Sequence, residues 1–137
     1  MVRICLFCII LLFGSTVFGQ TDSLFCAAKI DSLTQMRIVQ SPDKMPEPFG
    51  GIEALIDSIT SNLVLKDQAT IVGKIYLAFI VDEDGSVSGE RTLRNPGYSD
   101  LDRQAIIIIK KHRWIPAECK GKKVAALYIL PIYVGYR

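Results

Sequence analysis

Residues 73–87 read GKIYLAFIVDEDGSV, and the fold follows from the way this stretch alternates. Ile75, Leu77, Phe79 and Val81 occupy every second position, the period of a strand with one buried face. Tyr76, Ala78 and Ile80 on the other face are also fairly apolar, which predicts a central strand. Asp82-Glu83-Asp84-Gly85 then breaks the run with turn chemistry, Gly85 supplying the positive φ that a tight reversal needs. Residues 87–93 can return antiparallel. The rest of the chain reads as material packed against this pair.

Outward from the hairpin, helical periodicity takes over on both sides. Ile52, Leu55, Ile56, Ile59 and Leu63 follow the spacing of one apolar helix face, with Glu53 in the first turn where the helix dipole favours an anion. Before them Pro42, Pro46, Pro48, Gly50 and Gly51 rule out a continuous helix or central strand. After the hairpin Asn95-Pro96-Gly97 is a turn signal. Ser99 and Asp102 stand at capping-box spacing, and Leu101, Ala105, Ile108 and His112 make a second helical stripe. Ile106 to Ile109 are four consecutive β-branched residues and poor helix formers. The cap, Lys110 and Lys111 near the end, and the flanking strands still favour a helix, with Ile107 partly exposed. Trp114-Ile115-Pro116 ends it. Gly121-Lys122-Lys123 reads as a turn, and residues 124–136 as a last strand. Pro131 cannot donate to a ladder, so this strand belongs at an edge or carries a bulge there.

The expected order is helix, strand, strand, helix, strand. That makes a two-layer α+β domain in which two helices pack a three-stranded antiparallel sheet. With 137 residues there is room for one such domain and a tail. Arg3, the apolar run from Ile4, and Val17-Phe18-Gly19 have the layout of a secretory signal peptide cut after Gly19. Residues 4–18 fall short of the roughly 20 apolar residues that a spanning helix needs, so an inner-membrane anchor is the alternative. The expected division is a signal peptide at 1–19, an N-terminal extension at 20–45 and the domain at 46–137. Within the extension Leu24, Ala27, Ala28 and Leu33 form only a weak helical stripe, and partial order is expected.

Loss of residues 1–19 removes Arg3 and leaves 15 basic against 14 acidic groups. Such a balance carries no basic footprint for nucleic acid. Cys5 and Cys8 leave with the signal. Cys26 and Cys119 remain, an even pair in an oxidising compartment, to be found either bridged or as two thiols.

Taken together, these residues resemble the C-terminal domain of the TonB family over about residues 43–136. Gly73, the alternating Ile75, Leu77, Phe79 and Val81, and Asp84-Gly85 with Val87 fit the family's glycine, strand and hairpin. Trp114-Ile115-Pro116 fits its W-x-P, and residues 121–124 with Leu130-Pro131-Ile132 fit its final strand. Residues 43–47 with Phe49-Gly50-Gly51 look like the version found in Bacteroidetes. The resemblance implies a periplasmic adapter that binds an outer-membrane TonB-dependent receptor, or another envelope protein, by adding a segment of it as a strand. The edge it points to is Val124, Ala125, Ala126, Leu127, Tyr128, Ile129 and Leu130. Replacing Ala126 by proline is then expected to remove binding and spare the fold. The apolar segment has no histidine for an inner-membrane motor, and no long Pro-rich spacer follows it. A free-standing interaction module uncoupled from that motor is therefore the second expectation. An exposed edge on a small sheet also allows a homodimer.

Other chemistries read more weakly. Counted from Asp82, glycine falls at the fourth position and Leu93 at the twelfth, unlike the sixth-position Gly and twelfth-position Glu of a calcium loop. A solvated turn is expected there, with no metal. His112 is the only histidine, best read as a helix-end partner or a packed side chain rather than a catalyst. Lys110, Lys111, Arg113, Lys120, Lys122 and Lys123 read as a solvated face, and Trp114 as core. No enzyme activity and no cofactor are expected.

Overall fold

A computed structural model describes residues 26–64, 72–97 and 100–135. Its elements in order are β1 (Ala28–Ile30), β2 (Arg37–Val39), β3 (Glu47–Pro48), α1 (Gly51–Asn62), β4 (Val72–Val81) and β5 (Val87–Arg94). There follow α2 (Leu101–Lys111), β6 (Trp114–Ile115), β7 (Ala117–Cys119), β8 (Lys122–Val124) and β9 (Ala126–Gly135). The mixed α+β architecture, both helices and the β4–β5 hairpin match the alternation and periodicity of the sequence.

The sheet is larger than the three strands expected. Its order is β1-β2-β9-β4-β5, so two short strands of the N-terminal extension join it beside β9. They are antiparallel to each other, and β2 meets β9 in parallel at Val39 and Ala126. The weak helical stripe through Ala28 is therefore replaced by strand. Three-residue strands are too short to show a period, and the strand that ties this local hairpin into the sheet, β9, lies far along the chain.

β4 is central, flanked by β5 and β9. Its register with β9 is regular from Val72↔Gly135 to Val81↔Ala126. Odd-numbered Ile75, Leu77, Phe79 and Val81 and even-numbered Leu130, Ile132 and Val134 face the helices. There they form one core with Leu55 and Ile59 of α1 and Leu101, Ala105 and Ile109 of α2. Ile107 is exposed, as the stripe predicts. Burial of an apolar side chain is worth about 1.5–3 kcal/mol, which is what offsets the poor local helix propensity of residues 106–109. Trp114 closes this core: its ring meets Phe79 and Tyr128 edge-on at 5.1 and 5.2 Å, and its Nε1–H donates to the Ile109 carbonyl.

The extension covers one end of the opposite sheet face. Ile38 packs on Ile80 and Ala125, with Met36 and Leu127 at the margin. Between β1 and β2, Asp31 is buried at 5% exposure. Its Oδ2 accepts from the Thr34 N–H and hydroxyl, and its Oδ1 pairs with Arg91 of β5 at 2.8 Å. Cys26 and Cys119 form a disulfide with Cα atoms 5.8 Å apart, joining the start of the hairpin to β7.

Two local readings shift. The turn near residue 121 is Lys120–Gly121, with φ of 52° and 74°, while Lys122 and Lys123 are already in β8. A two-residue loop with both φ positive suits the twist of a tight hairpin. The last strand accordingly breaks at Ala125 instead of running unbroken from Val124. Ser99, Tyr136 and residues 1–25, and with them the capping serine and the signal segment, lie outside the described residues.

Candidate functional site

The sheet presents three outer backbone rows, and they differ in what they offer. β5 is irregular: its pairing to β4 shifts between Tyr76 and Leu77 and again between Ala78 and Ile80. Gly89 has a φ of 58°, and the Arg91 guanidinium donates to its carbonyl. Bulges and charges of this kind blunt an edge against further pairing. β1 is only three residues long. β9, by contrast, runs ten residues in unbroken register on its β4 side and meets β2 only at its beginning.

Which β9 groups face outward follows from one bond. The Ala125 carbonyl accepts from Val39 N–H at 2.8 Å, so it points away from β4. Backbone groups alternate sides along a strand, so Leu127, Ile129, Pro131, Tyr133 and Gly135 point the same way. Beyond the contact with β2, the outward row is Ile129 N–H and C=O, the Pro131 C=O, and Tyr133 N–H and C=O. Pro131 sits at a position whose missing donor costs the β4 ladder nothing. The side chains of Ile129 and Tyr133 are 50% and 65% exposed on the face away from the helices. Lys74 caps this strip, its ammonium 4.4 Å from the centre of the Tyr133 ring. Tyr133 also raises the lysine's pKa through hydrogen bonding and charge, so the cation persists there.

The stretch expected as the edge is distributed differently. Val124 is paired with Ala117 in the β7–β8 hairpin. Ala125 has its carbonyl taken by Val39, and Ala126 is fully buried between β2 and β4. Leu127 leans into the small cluster around Ile38. Tyr128 turns inward beside Phe79 at 5.5 Å, and burial raises its phenol above the usual pKa. Leu130 is core. Only Ile129 of that stretch presents both its backbone and its side chain. The expectation for Ala126→Pro is also corrected, because the Ala126 N–H faces β4 and its loss would break the central ladder. The sequence marks the edge at Pro131, and Tyr133, two residues on at the same parity, carries the same cue without a proline to announce it.

The other motif residues hold the frame. Gly73 pairs with Val134, and Pro116 links β6 to β7. Asp84 and Gly85 make the β4–β5 turn. Asp84 accepts from the Ser86 N–H and hydroxyl, which lower its pKa, and Asp82 accepts from Ser88. Both carboxylates are engaged within the turn, as a solvated reversal requires. His112 places its Nε2 2.9 Å from the Phe49 carbonyl, at the end of an open groove of about 480 Å³ between α1 and α2. Cys26, Asp43 and Cys119 bring potential ligand atoms within 4.8 Å of one another. Both sulfurs are spent in the disulfide, so only the carboxylate could serve a metal.

Residues 66–133 match the family model described as Gram-negative bacterial TonB protein C-terminal. A solution NMR structure of the Pseudomonas aeruginosa TonB CTD is similar at 24% identity, covering 50% of this chain and 71% of that one, with a TM-score of 0.38. No curated protein matches the chain. Through residues 66–133 the chain belongs to the TonB C-terminal domain family, whose members are protein-interaction adapters and not enzymes.

Proposed function

We propose that this domain is a periplasmic adapter that takes an extended segment of an outer-membrane transporter, or of another envelope protein, as an added strand along β9. Membership of the family carries the general role, in TonB-dependent envelope transport. The observation that supports the particular site is the contrast between edges: β5 is bulged and charged, β1 is three residues long, and the outer row from Ile129 to Gly135 is regular and open. Strand addition draws its affinity from such backbone groups and its selectivity from the side chains alternating beside them. Here those are Ile129 and Tyr133, with the Lys74 cation at the margin. An export signal at 1–19 would deliver the domain to the compartment where such a segment is found. Retained, the same segment would leave it anchored at the inner membrane. The mature N-terminus, read by mass spectrometry of fractionated cells, separates the two.

The decisive substitution is Tyr133→Pro. It removes an outward donor without touching the β4 ladder, as Pro131 already does. Titration with synthetic segments of outer-membrane receptors from the same cell should show affinity falling about tenfold, since one lost hydrogen bond costs about 1 kcal/mol and the ring adds a steric cost. Unchanged affinity would overturn the site. No helix among the described residues is long and apolar enough to cross a membrane. A free-standing module without a motor would use the same edge, and a second copy of the chain could pair there too. Sedimentation of the purified protein separates that pairing from capture of a different partner.

A further inference from the structure

The β1–β2 hairpin occupies the first part of the outer row of β9 and then leaves it abruptly. Val39 is its last paired residue, bonded to the Ala125 carbonyl, and Gln40 and Ser41 bend away. The departure is fixed from several directions. Cys26 N–H donates to the Ser41 carbonyl at 2.7 Å, and the neighbouring disulfide ties Cys26 to Cys119 across a sequence separation of 93. Asp31 is held by Arg91 of β5, and Ile38 is buried on Ile80. The hairpin is thus pinned at its start, its turn and its end.

The disulfide has the setting of a fixed latch. The Asp43 carboxylate lies within 4.8 Å of both sulfurs. An attacking thiolate would meet that negative charge, and a released thiolate would be destabilised by it. Cys119 is also buried, at 8% exposure.

We propose that this latched hairpin is an end stop for the added strand. It closes the row at Leu127 and confines a partner segment to the run from Ile129 to Gly135, so that the segment meets Gln40 end-on and must turn away there. The proposal rests on strand addition at β9 and adds a register to it. A partner fits when its alternating apolar side chains fall beside Ile129 and Tyr133 and are followed by a bend. A segment that would need to continue past Leu127 is rejected by the occupied backbone.

The test uses the full chain in the cells that produce it, with the photo-reactive residue benzoylphenylalanine placed singly at Gln40, Ile129, Tyr133 or, as a control, Arg37. All four positions are exposed. Ile129, Tyr133 and Gln40 should give one and the same adduct, and Arg37, at the other end of β2, none. In the Cys26→Ser/Cys119→Ser background the Gln40 adduct should be lost while those at Ile129 and Tyr133 remain. Val39→Pro, which keeps the disulfide but removes the bond to Ala125, should do the same if the double variant does not fold. Adducts at Ile129 and Tyr133 without one at Gln40 in the latched chain would overturn the end stop and leave strand addition standing. So would a Gln40 adduct that both variants leave intact. No adduct at any of the three positions would overturn strand addition itself, and the end stop with it.

Discussion

Gly85 shows how much of this fold hangs on single backbone positions. Its φ is +83°, and a Cβ built there would lie 2.4 Å from the Trp114 carbonyl oxygen. The β4–β5 turn therefore packs directly on the backbone that leaves α2, and only a residue without a side chain fits. Gly85→Ala should cost about 1–3 kcal/mol from the left-handed conformation alone, and more from the overlap. Urea denaturation should show a lower midpoint with an unchanged slope. Asp31 is the complementary case, a buried carboxylate with every bond supplied. Thr34 backbone and side-chain hydrogen bonds, with Arg91, hold its pKa below the ordinary value of about 3.9, against the opposing effect of burial. A depressed folded pKa means that its contribution to stability is present in full above the unfolded value and is lost as pH falls through the folded one. Asp31→Asn should therefore be less stable than wild type at pH 7. The gap between their denaturation midpoints should narrow once the pH drops below about 4. A gap that did not change with pH would show that Asp31 contributes through packing rather than charge.

At the scale of elements, the readable parts were those with a period. β4 alternates, α1 and α2 repeat at helical spacing, and the turn residues stand where the turns are. Even α2, with Ile106 to Ile109 against it locally, was legible because Leu101 and Ala105 set the face that packs and Lys110–Lys111 mark the end. The parts that were not readable are short and paired at long range. β1 and β2 are three residues each, too few for a pattern; they pair with each other, and what docks that hairpin on the sheet is β9, nearly ninety positions beyond β2. That omission moved the open edge. Without knowledge of the hairpin, residues 124–130 look free. With it, Ala125 and Ala126 are taken, and the free row begins at Ile129. Proline scanning should reproduce the parity: Ala126→Pro should unfold the sheet, whereas Tyr133→Pro should leave the thermal midpoint nearly unchanged. The hairpin's latch has its own signature. In the chain-entropy view a bridge across a separation of 93 stabilises by about 4–5 kcal/mol. Cys26→Ser/Cys119→Ser should lower the melting temperature by the corresponding amount, and a reductant should have no effect on that variant.

For the molecule as a whole, the sheet has two unequal faces. The helix side carries one continuous core through β4, β9, α1, α2 and Trp114. The other side carries a small cluster in which Ile38 and Met36 lie over Ile80, Ala125 and Leu127. Regions with few buried apolar contacts open at lower free energy than the core around them, so the hairpin should behave as a separate cooperative unit. Two truncations of like chemistry discriminate. Leu77→Ala and Ile38→Ala each remove a buried aliphatic side chain, a loss of about 2–5 kcal/mol where the site cannot collapse. Native-state hydrogen exchange should register Leu77→Ala as faster exchange of every slow amide, in β4, β9 and both helices together. Ile38→Ala should accelerate the amides of 28–39 and leave Phe79 and Ile132 at their wild-type rates. This separation is what the variants that test the end stop rely on: a rigid ten-residue strand offering a fixed row, and beside it a unit held by a disulfide, an ion pair and a few side chains, whose docking can be altered by substitution without unfolding the sheet. If Ile38→Ala accelerated Phe79 as much as it did Val39, the hairpin and the core would be one unit. Undocking the hairpin in the disulfide or Val39 variants would then disturb the β9 row itself.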